Sequence, residues 1–199
     1  MGDRMRIIAG VHKGLRLKAV PGSGTRPTTD KVKEALFSMI GPFFSGGKAL
    51  DLYAGSGGLG IEALSRGMET CVFIDSAKQA IETIHTNLSH TKLIEQAEVY
   101  RNDASRALQA LAKRDVQFSI VFLDPPYAKQ SLEKLLSSIA EYNLLADEGI
   151  VVCEHDRAVS LQKCVGTLVC HREALYGQTV ISLYRKEKKD DTCDLRREF

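Results

Sequence analysis

The chain has 199 residues, 44% of them hydrophobic and 26% charged, a composition ordinary for a globular protein and a length for one large domain or a domain with a small appendage. No apolar run approaches the roughly 20 residues of a membrane helix, and no secretory h-region opens the chain. The five cysteines (Cys71, Cys153, Cys164, Cys170 and Cys193) form no C-x-x-C pair, so with no export signal reduced thiols in a cytoplasm and no metal are expected; a monomer is expected separately.

The formal charge of +2 is unevenly spread. Residues 1–33 carry +6, from Arg4, Arg6, Lys13, Arg16, Lys18, Arg26, Lys31 and Lys33 against Asp3 and Asp30, and the remainder carries −4. A basic arm on a slightly acidic body is the footprint of a phosphate-backbone contact, with a merely solvated basic face as the bland alternative.

Residues 1–27 read as that arm. Two apolar-basic runs, residues 6–9 and 15–20, flank Gly10-Val11-His12-Lys13-Gly14, which predicts a β-hairpin with Arg16 and Lys18 on its outer face. Arg26-Pro27-Thr28-Thr29 leads into a helix with Thr28 or Thr29 as its cap. Val32, Ala35, Leu36, Met39 and Ile40 form its apolar stripe, and Gly41-Pro42 ends it. From residue 48 strands and helices alternate. Strands are expected at 49–53, 70–74, 97–101, 118–123 and 149–154. The intervening helices are expected at 61–66, 77–88, from 103 through Leu111, and at 131–142. Ile81, Ile84, His85 and Leu88 should face inward on the second of these. Two last strands, 165–171 and 179–184, are joined through Ala174-Leu175-Tyr176-Gly177 and leave no room for a crossover helix. The expected fold is a Rossmann-like α/β domain with a seven-stranded, mainly parallel sheet, an antiparallel edge hairpin and a small N-terminal β-hairpin extension. The tail, residues 186–199, mixes charges without periodicity and is expected to be disordered.

Asp51-Leu52-Tyr53-Ala54-Gly55-Ser56-Gly57-Gly58-Leu59-Gly60 matches G-x-G-x-x-G at Gly55, Gly57 and Gly60. It follows a strand, opens a helix, and is trailed by Asp75-Ser76 at the end of the next strand. An acid at that place binds ribose hydroxyls, so an adenosine-containing cofactor is expected at the carboxyl ends of the strands. NAD is not excluded by this pattern. Asp51, however, stands four residues before the first glycine, where a carboxylate disfavours a pyrophosphate and suits an ammonium, as in S-adenosylmethionine (SAM). Asn102-Asp103 ends the third strand and can accept from an adenine amino group. Each acid alone reads as a turn residue or helix cap; Asp51, Asp75, Asp103 and Asp124 together at one sheet edge read as a site.

The fourth strand ends abruptly in Asp124-Pro125-Pro126-Tyr127. Proline supplies no N–H. The loop therefore offers a carboxylate and carbonyls with few competing donors, backed by an aromatic ring. That suits a flat ligand bearing an exposed NH₂, such as a nucleobase. The tetrapeptide specifies an amino group and leaves the nucleotide unstated.

D-L-Y-A-G-S-G-G-L-G followed by D-P-P-Y resembles class I SAM-dependent methyltransferases of exocyclic amino groups. M-R-I-I-A-G-V-H-K-G, R-P-T-T-D-K-V-K-E-A-L-F, I-E-A-L-S-R-G and Y-G-Q-T-V-I-S-L-Y-R narrow it to the RsmD family of bacterial 16S rRNA (guanine(966)-N(2))-methyltransferases. The resemblance runs from about residue 5 to 185. It implies a methyltransferase domain over 28–185 and, as substrate, the RNA of the small ribosomal subunit. It implies SAM contacts from Asp51, Gly55, Gly57 and Asp75, with Tyr53, Ala54, Ser56, Gly60 and Ser76 beside them and Asn102 and Asp103 near the adenine. Asp124, Pro125, Pro126 and Tyr127 would hold the target base, and Arg6, Lys13, Arg16, Lys18 and Arg26 would meet RNA. Some relatives carry Phe for Tyr127 and Arg for Lys31 or Lys33; an aromatic and a base are retained, so these departures bear only on details of stacking and RNA contact. The competing readings are methylation of adenine N6 or cytosine N4 in DNA or another RNA, protein glutamine methylation (which goes with Asn at position 124), a non-catalytic RNA-binding module on the same fold, and a generic NAD oxidoreductase, for which no Tyr-x-x-x-Lys is evident.

Overall fold

The computed structural model describes residues 5–22, 30–125 and 132–187. Five strands, β1 (Lys48–Asp51), β2 (Thr70–Asp75), β3 (Ala97–Arg101), β4 (Phe118–Leu123) and β5 (Leu145–Asp156), pair in parallel. β8 (Thr179–Lys186) runs antiparallel beside β5, and β7 (Leu168–Tyr176) and β6 (Cys164–Val165) follow it outward. The spatial order is β3-β2-β1-β4-β5-β8-β7-β6.

Helices cover both faces. α1 (Asp30–Ile40), α2 (Gly58–Ser65) and α3 (Lys78–Thr91) pack with Ala49, Phe73, Phe122, Val152 and Ile181. α4 (Ala104–Ala112) and α5 (Leu132–Glu141) pack with Leu50, Val72, Val121, Leu123 and Cys153. The strands are buried on both sides, which is why they read as continuous apolar runs. Chain order reverses between β1 and β4, so the crevice beyond their carboxyl ends is the topological switch point where ligands bind in such sheets.

The sheet has eight strands among the described residues rather than seven; the addition is the two-residue β6, too short to leave a pattern. β7 continues to Tyr176, through the stretch expected as a connection. Its register shifts between Cys170 and Arg172, leaving His171, Arg172 and Glu173 all exposed, and this irregularity breaks the alternation that marks a strand. β5 begins four residues early for a similar reason: a register irregularity separates Phe118↔Leu145 from Ile120↔Ile150. His85 is exposed, not core-facing; the inward stripe of α3 is Ala80, Thr83, Ile84, Asn87, Leu88 and Thr91. On α1 the buried residues are Lys33, Leu36, Phe37 and Ile40, with Val32, Ala35 and Met39 only half-buried. Lys33 is thus a core residue and does not add to the exposed basic face. The expected cap of α1 at Thr28 or Thr29 and nearly all of the tail lie outside the described residues. No described helix is long and apolar enough to cross a membrane.

Candidate active site

The glycine turn is held from both sides. Asp51, 2% exposed at the end of β1, accepts a hydrogen bond from Gly60 N at 2.9 Å, pinning the first turn of α2 to the strand. A Cβ at Gly60 would stand 2.3 Å from Phe73 Cε1 and 2.8 Å from Cys71 Sγ, so only glycine lets the helix lie this close to β2. At the end of β2, Asp75 Oδ2 accepts from Gly55 N at 2.9 Å while Oδ1 accepts from Ala77 N at 2.8 Å. One carboxylate thereby joins the turn to the start of α3. Ala54 N donates to Ile74 O, and Leu52 N to Phe122 O, which continues the ladder past β1. Tyr53 is half-buried against the core under α4 and α5, Ser56 is half-buried in the turn, and Ser76 is exposed just past β2. Asn102 N donates to Asp75 O. Asp103 caps α4, its Oδ1 accepting from Ser105 N and Arg106 N, with Asn102 Oδ1 accepting from Asp103 N. The helix-cap reading of Asp103 is therefore realised at one of its oxygens.

Asp124 follows β4 directly, next to Asp51 across the switch point. Burial, then Glu154, then Asp51 push its carboxyl well above the usual range. Leu123 pairs with Cys153, so Asp124 and Glu154 are the next residues on adjacent parallel strands. By the two-residue period of a strand, both share the face of Phe122 and Val152, and Asp51 shares it too. Glu154 is 6% exposed and escaped sequence reading. It ends the apolar run of β5, just before His155 and Asp156, and only the β4–β5 register reveals it as a neighbour of Asp124. Burial pushes Asp51 itself up to about 7, opposed by the Gly60 hydrogen bond and reinforced by Asp75. Two buried acids and the half-buried Asp124 cannot all ionise cheaply in this low dielectric, so the crevice favours a cation. Pro125 is buried, and Pro126 and Tyr127 lie outside the described residues.

The arm packs along α2. Residues 5–17 form a short hairpin: Ile7 N donates to Leu15 O, Gly14 N to Ile7 O and Leu17 N to Met5 O. The fully buried Glu62 carboxylate accepts from Ile8 N at 2.8 Å and Ala9 N at 2.9 Å. The same carboxylate pairs with Arg66 Nε at 2.8 Å and Lys33 Nζ at 3.2 Å, two cations whose side chains are only 5% and 4% exposed. Arg66 also stacks on the Phe37 ring, 4.5 Å from its centroid. At the far end Ser65 Oγ donates to Ala9 O and accepts from His12 N. A Cβ at Gly10 would collide with Ser65 O at 1.8 Å, which is why the arm turns there on glycine. Lys13, Arg16 and Lys18 are exposed, whereas Arg6 is paired with Asp30 at 2.8 Å. Arg26 lies outside the described residues.

A parallel sheet ordered β3-β2-β1-β4-β5, with a glycine turn after β1 and acids ending β1, β2 and β4, defines the Rossmann-like methyltransferase class. Solved neighbours agree. A putative methyltransferase from Escherichia coli, yhhF, superposes with a TM-score of 0.78 at 32% identity, covering 94% of this chain and 99% of that one. A conserved hypothetical protein of Streptococcus pyogenes superposes with a TM-score of 0.74 at 42% identity, covering 78% and 96%. The family described as "Conserved hypothetical protein 95" matches residues 5–185, and the chain belongs to it. Among relatives, the "Putative rRNA methyltransferase YlbH" of Bacillus subtilis is 57% identical over 92% of this chain and 99% of its own length. The "Ribosomal RNA small subunit methyltransferase D" of Escherichia coli is 33% identical over 95% and 93%.

Proposed function

We propose that the protein transfers the methyl group of SAM to the exocyclic N2 of a guanine in 16S rRNA, the guanine-966 reaction. The observation that carries this reading is the meeting of Asp51 and Asp124 at the switch point, one at the foot of a glycine turn and the other opening a loop rich in acceptors. The naming of the B. subtilis and E. coli relatives supports ribosomal RNA as the substrate. The basic Lys13, Arg16 and Lys18 on the arm support it as well.

The residues fit this cofactor. A side chain at Gly55 would project into open space, so the turn leaves a cradle. Asp75, already bonded to two backbone amides, retains lone pairs for ribose hydroxyls. Asp51, pushed up to about 7, gains most from a neighbouring ammonium. When bound, SAM supplies a methyl group on a positively charged sulfur.

The guanine N2 lone pair is delocalised into the ring, so the amine is a poor nucleophile. Asp124 Oδ and the Pro125 carbonyl accept its N–H bonds. They orient the nitrogen and stabilise the positive charge that grows on it, which is electrostatic help aimed at the transition state. A carboxyl whose affinity for protons is raised by burial and by Glu154 is also a competent acceptor for the N2 proton once transfer is complete. The base must be splayed from its stack to arrive there. Tyr127 would return ~1–3 kcal/mol of that cost by stacking.

The test is to incubate the protein with labelled SAM and small subunits lacking the modification, then map the labelled nucleotide. Label on the N2 of one guanine is expected; label on adenine, or none on RNA, overturns the reading. Asp124→Ala should abolish transfer while leaving SAM affinity within a few-fold, and an equal loss of both would make Asp124 structural.

A further inference from the structure

Asn87 is 1% exposed on the inward stripe of α3, where an apolar side chain would ordinarily stand. A buried amide is costly unless its groups are bonded. Here they are: Oδ1 accepts from Lys18 N at 2.8 Å, and Nδ2 donates to Lys18 O at 3.0 Å and to Ser56 O at 2.9 Å. Both backbone groups of Lys18 are therefore held by one side chain, as a neighbouring strand would hold them. With both paired, the backbone of Lys18 is fixed, and with it the point on the surface from which the exposed side chain extends. The third bond grips the glycine turn itself, at the residue whose hydroxyl meets Met5 Sδ at 3.3 Å. One neutral residue thus ties a cation of the arm to the backbone that faces the cofactor.

The arm has a separate anchor. Glu62 and Ser65 hold residues 8–12 against α2 without Asn87. Loss of the amide frees the backbone of Lys18, while Leu17 just before it stays buried and bonded to Met5 O.

We propose that Asn87 is a positioning residue for RNA, holding Lys18 at the lip of the cofactor turn as a phosphate contact. This rests on the reading of RNA as substrate. The chemistry makes a specific demand. Each phosphate contact contributes ~0.7–0.9 to the slope of log affinity against log salt. Removing Asn87 should remove one such contact although no charge is deleted.

The experiment measures binding of an unmodified small-subunit rRNA transcript between 50 and 300 mM KCl (roughly the range in which counterion release is read) for wild type, Lys18→Gln, Asn87→Ala and the double variant. Lys18→Gln should lower the slope by ~0.7–0.9, Asn87→Ala by the same amount, and the double variant no further. SAM affinity should weaken a few-fold in Asn87→Ala, through Ser56, and stay unchanged in Lys18→Gln. Should the alanine variant fail to fold, Asn87→Ser, which keeps one hydrogen-bonding group, is expected to show the same slope. A wild-type slope in a folded Asn87 variant, even one with a lower melting temperature, overturns the proposal and leaves the residue a structural staple. Additive slopes in the double variant overturn it as well. A wild-type protein with no salt-dependent RNA binding would overturn the RNA reading first, a result distinguishable from either.

Discussion

Glu62→Gln is the substitution whose cost can be worked most directly. It preserves shape and removes one charge from a site with no solvent. Glu62 is fully buried and serves four partners: Ile8 N, Ala9 N, Arg66 and Lys33. Glutamine keeps a single acceptor oxygen, and its NH₂ must point at another donor. Two buried cations are left without their counter-charge. Breaking a buried ion pair from one side costs about 3–5 kcal/mol. At 2–4 °C per kcal/mol for a chain of this size, the melting temperature should fall by roughly 6–20 °C.

Burial already holds the Lys33 amine below its ordinary 10.5, with Glu62 opposing that shift. Without Glu62 it falls further. A lysine depressed in the folded state binds fewer protons there than when unfolded, so stability rises with pH until about 10.5. The Glu62→Gln penalty should accordingly shrink as pH is raised from 7 toward that value. Urea unfolding at several pH values and salt concentrations reads all of this. A loss below about 1 kcal/mol, or one erased by salt, would refute the argument, because only solvent-exposed pairs behave so. Adding Lys33→Met should recover part of the loss, since it removes an uncompensated buried cation.

Three other outcomes are expected. SAM affinity should rise with pH up to about 7 and then level, since Asp51 must lose its proton to meet a cation; calorimetry on Asp51→Asn should show that dependence gone, and an unchanged profile would place the ammonium elsewhere. Glu154→Gln should move the acid limb of the rate profile to lower pH, because the neighbouring charge that helps hold Asp124 up is removed; an unmoved limb would mean the two acids are uncoupled. Gly60→Ala should weaken SAM binding at least tenfold and cost about 1–3 kcal/mol of stability, as overpacking against Phe73 displaces the turn; calorimetric titration and urea unfolding would show both.

Much of this site is legible from residue order because its parts are local. The turn from Asp51 to Gly60 is ten consecutive residues, and Asp75 falls at the next strand end, so pattern and geometry coincide. Lys33 and Asn87 are the opposite case. Each is a polar residue on a buried helix face, and each is there for a partner distant in sequence: Glu62 for one, Lys18 and Ser56 for the other. An apolar stripe read along α1 slides past Lys33, and on α3 it picks up His85 in place of Asn87, since nothing in the helix itself announces the partner. Glu154 was hidden for a related reason. Its meaning lies in the register of β4 against β5, which only the assembled sheet supplies.

That register has a consequence for how the molecule is made. β1 lies in the middle of the sheet, yet Asp51 is paired with Phe122, a residue synthesised 71 positions later. The arm and α2 can associate as soon as the first 66 residues exist, and the glycine turn gains its own supports once Asp75 and Asn87 have followed. The crevice must wait: its second wall arrives only when β4 slides in beside β1, a non-local step of the slow kind. A nascent chain can therefore hold a nearly finished cofactor turn well before it has anywhere to put a base, and substitutions along β4 should delay maturation of the enzyme as well as alter its chemistry.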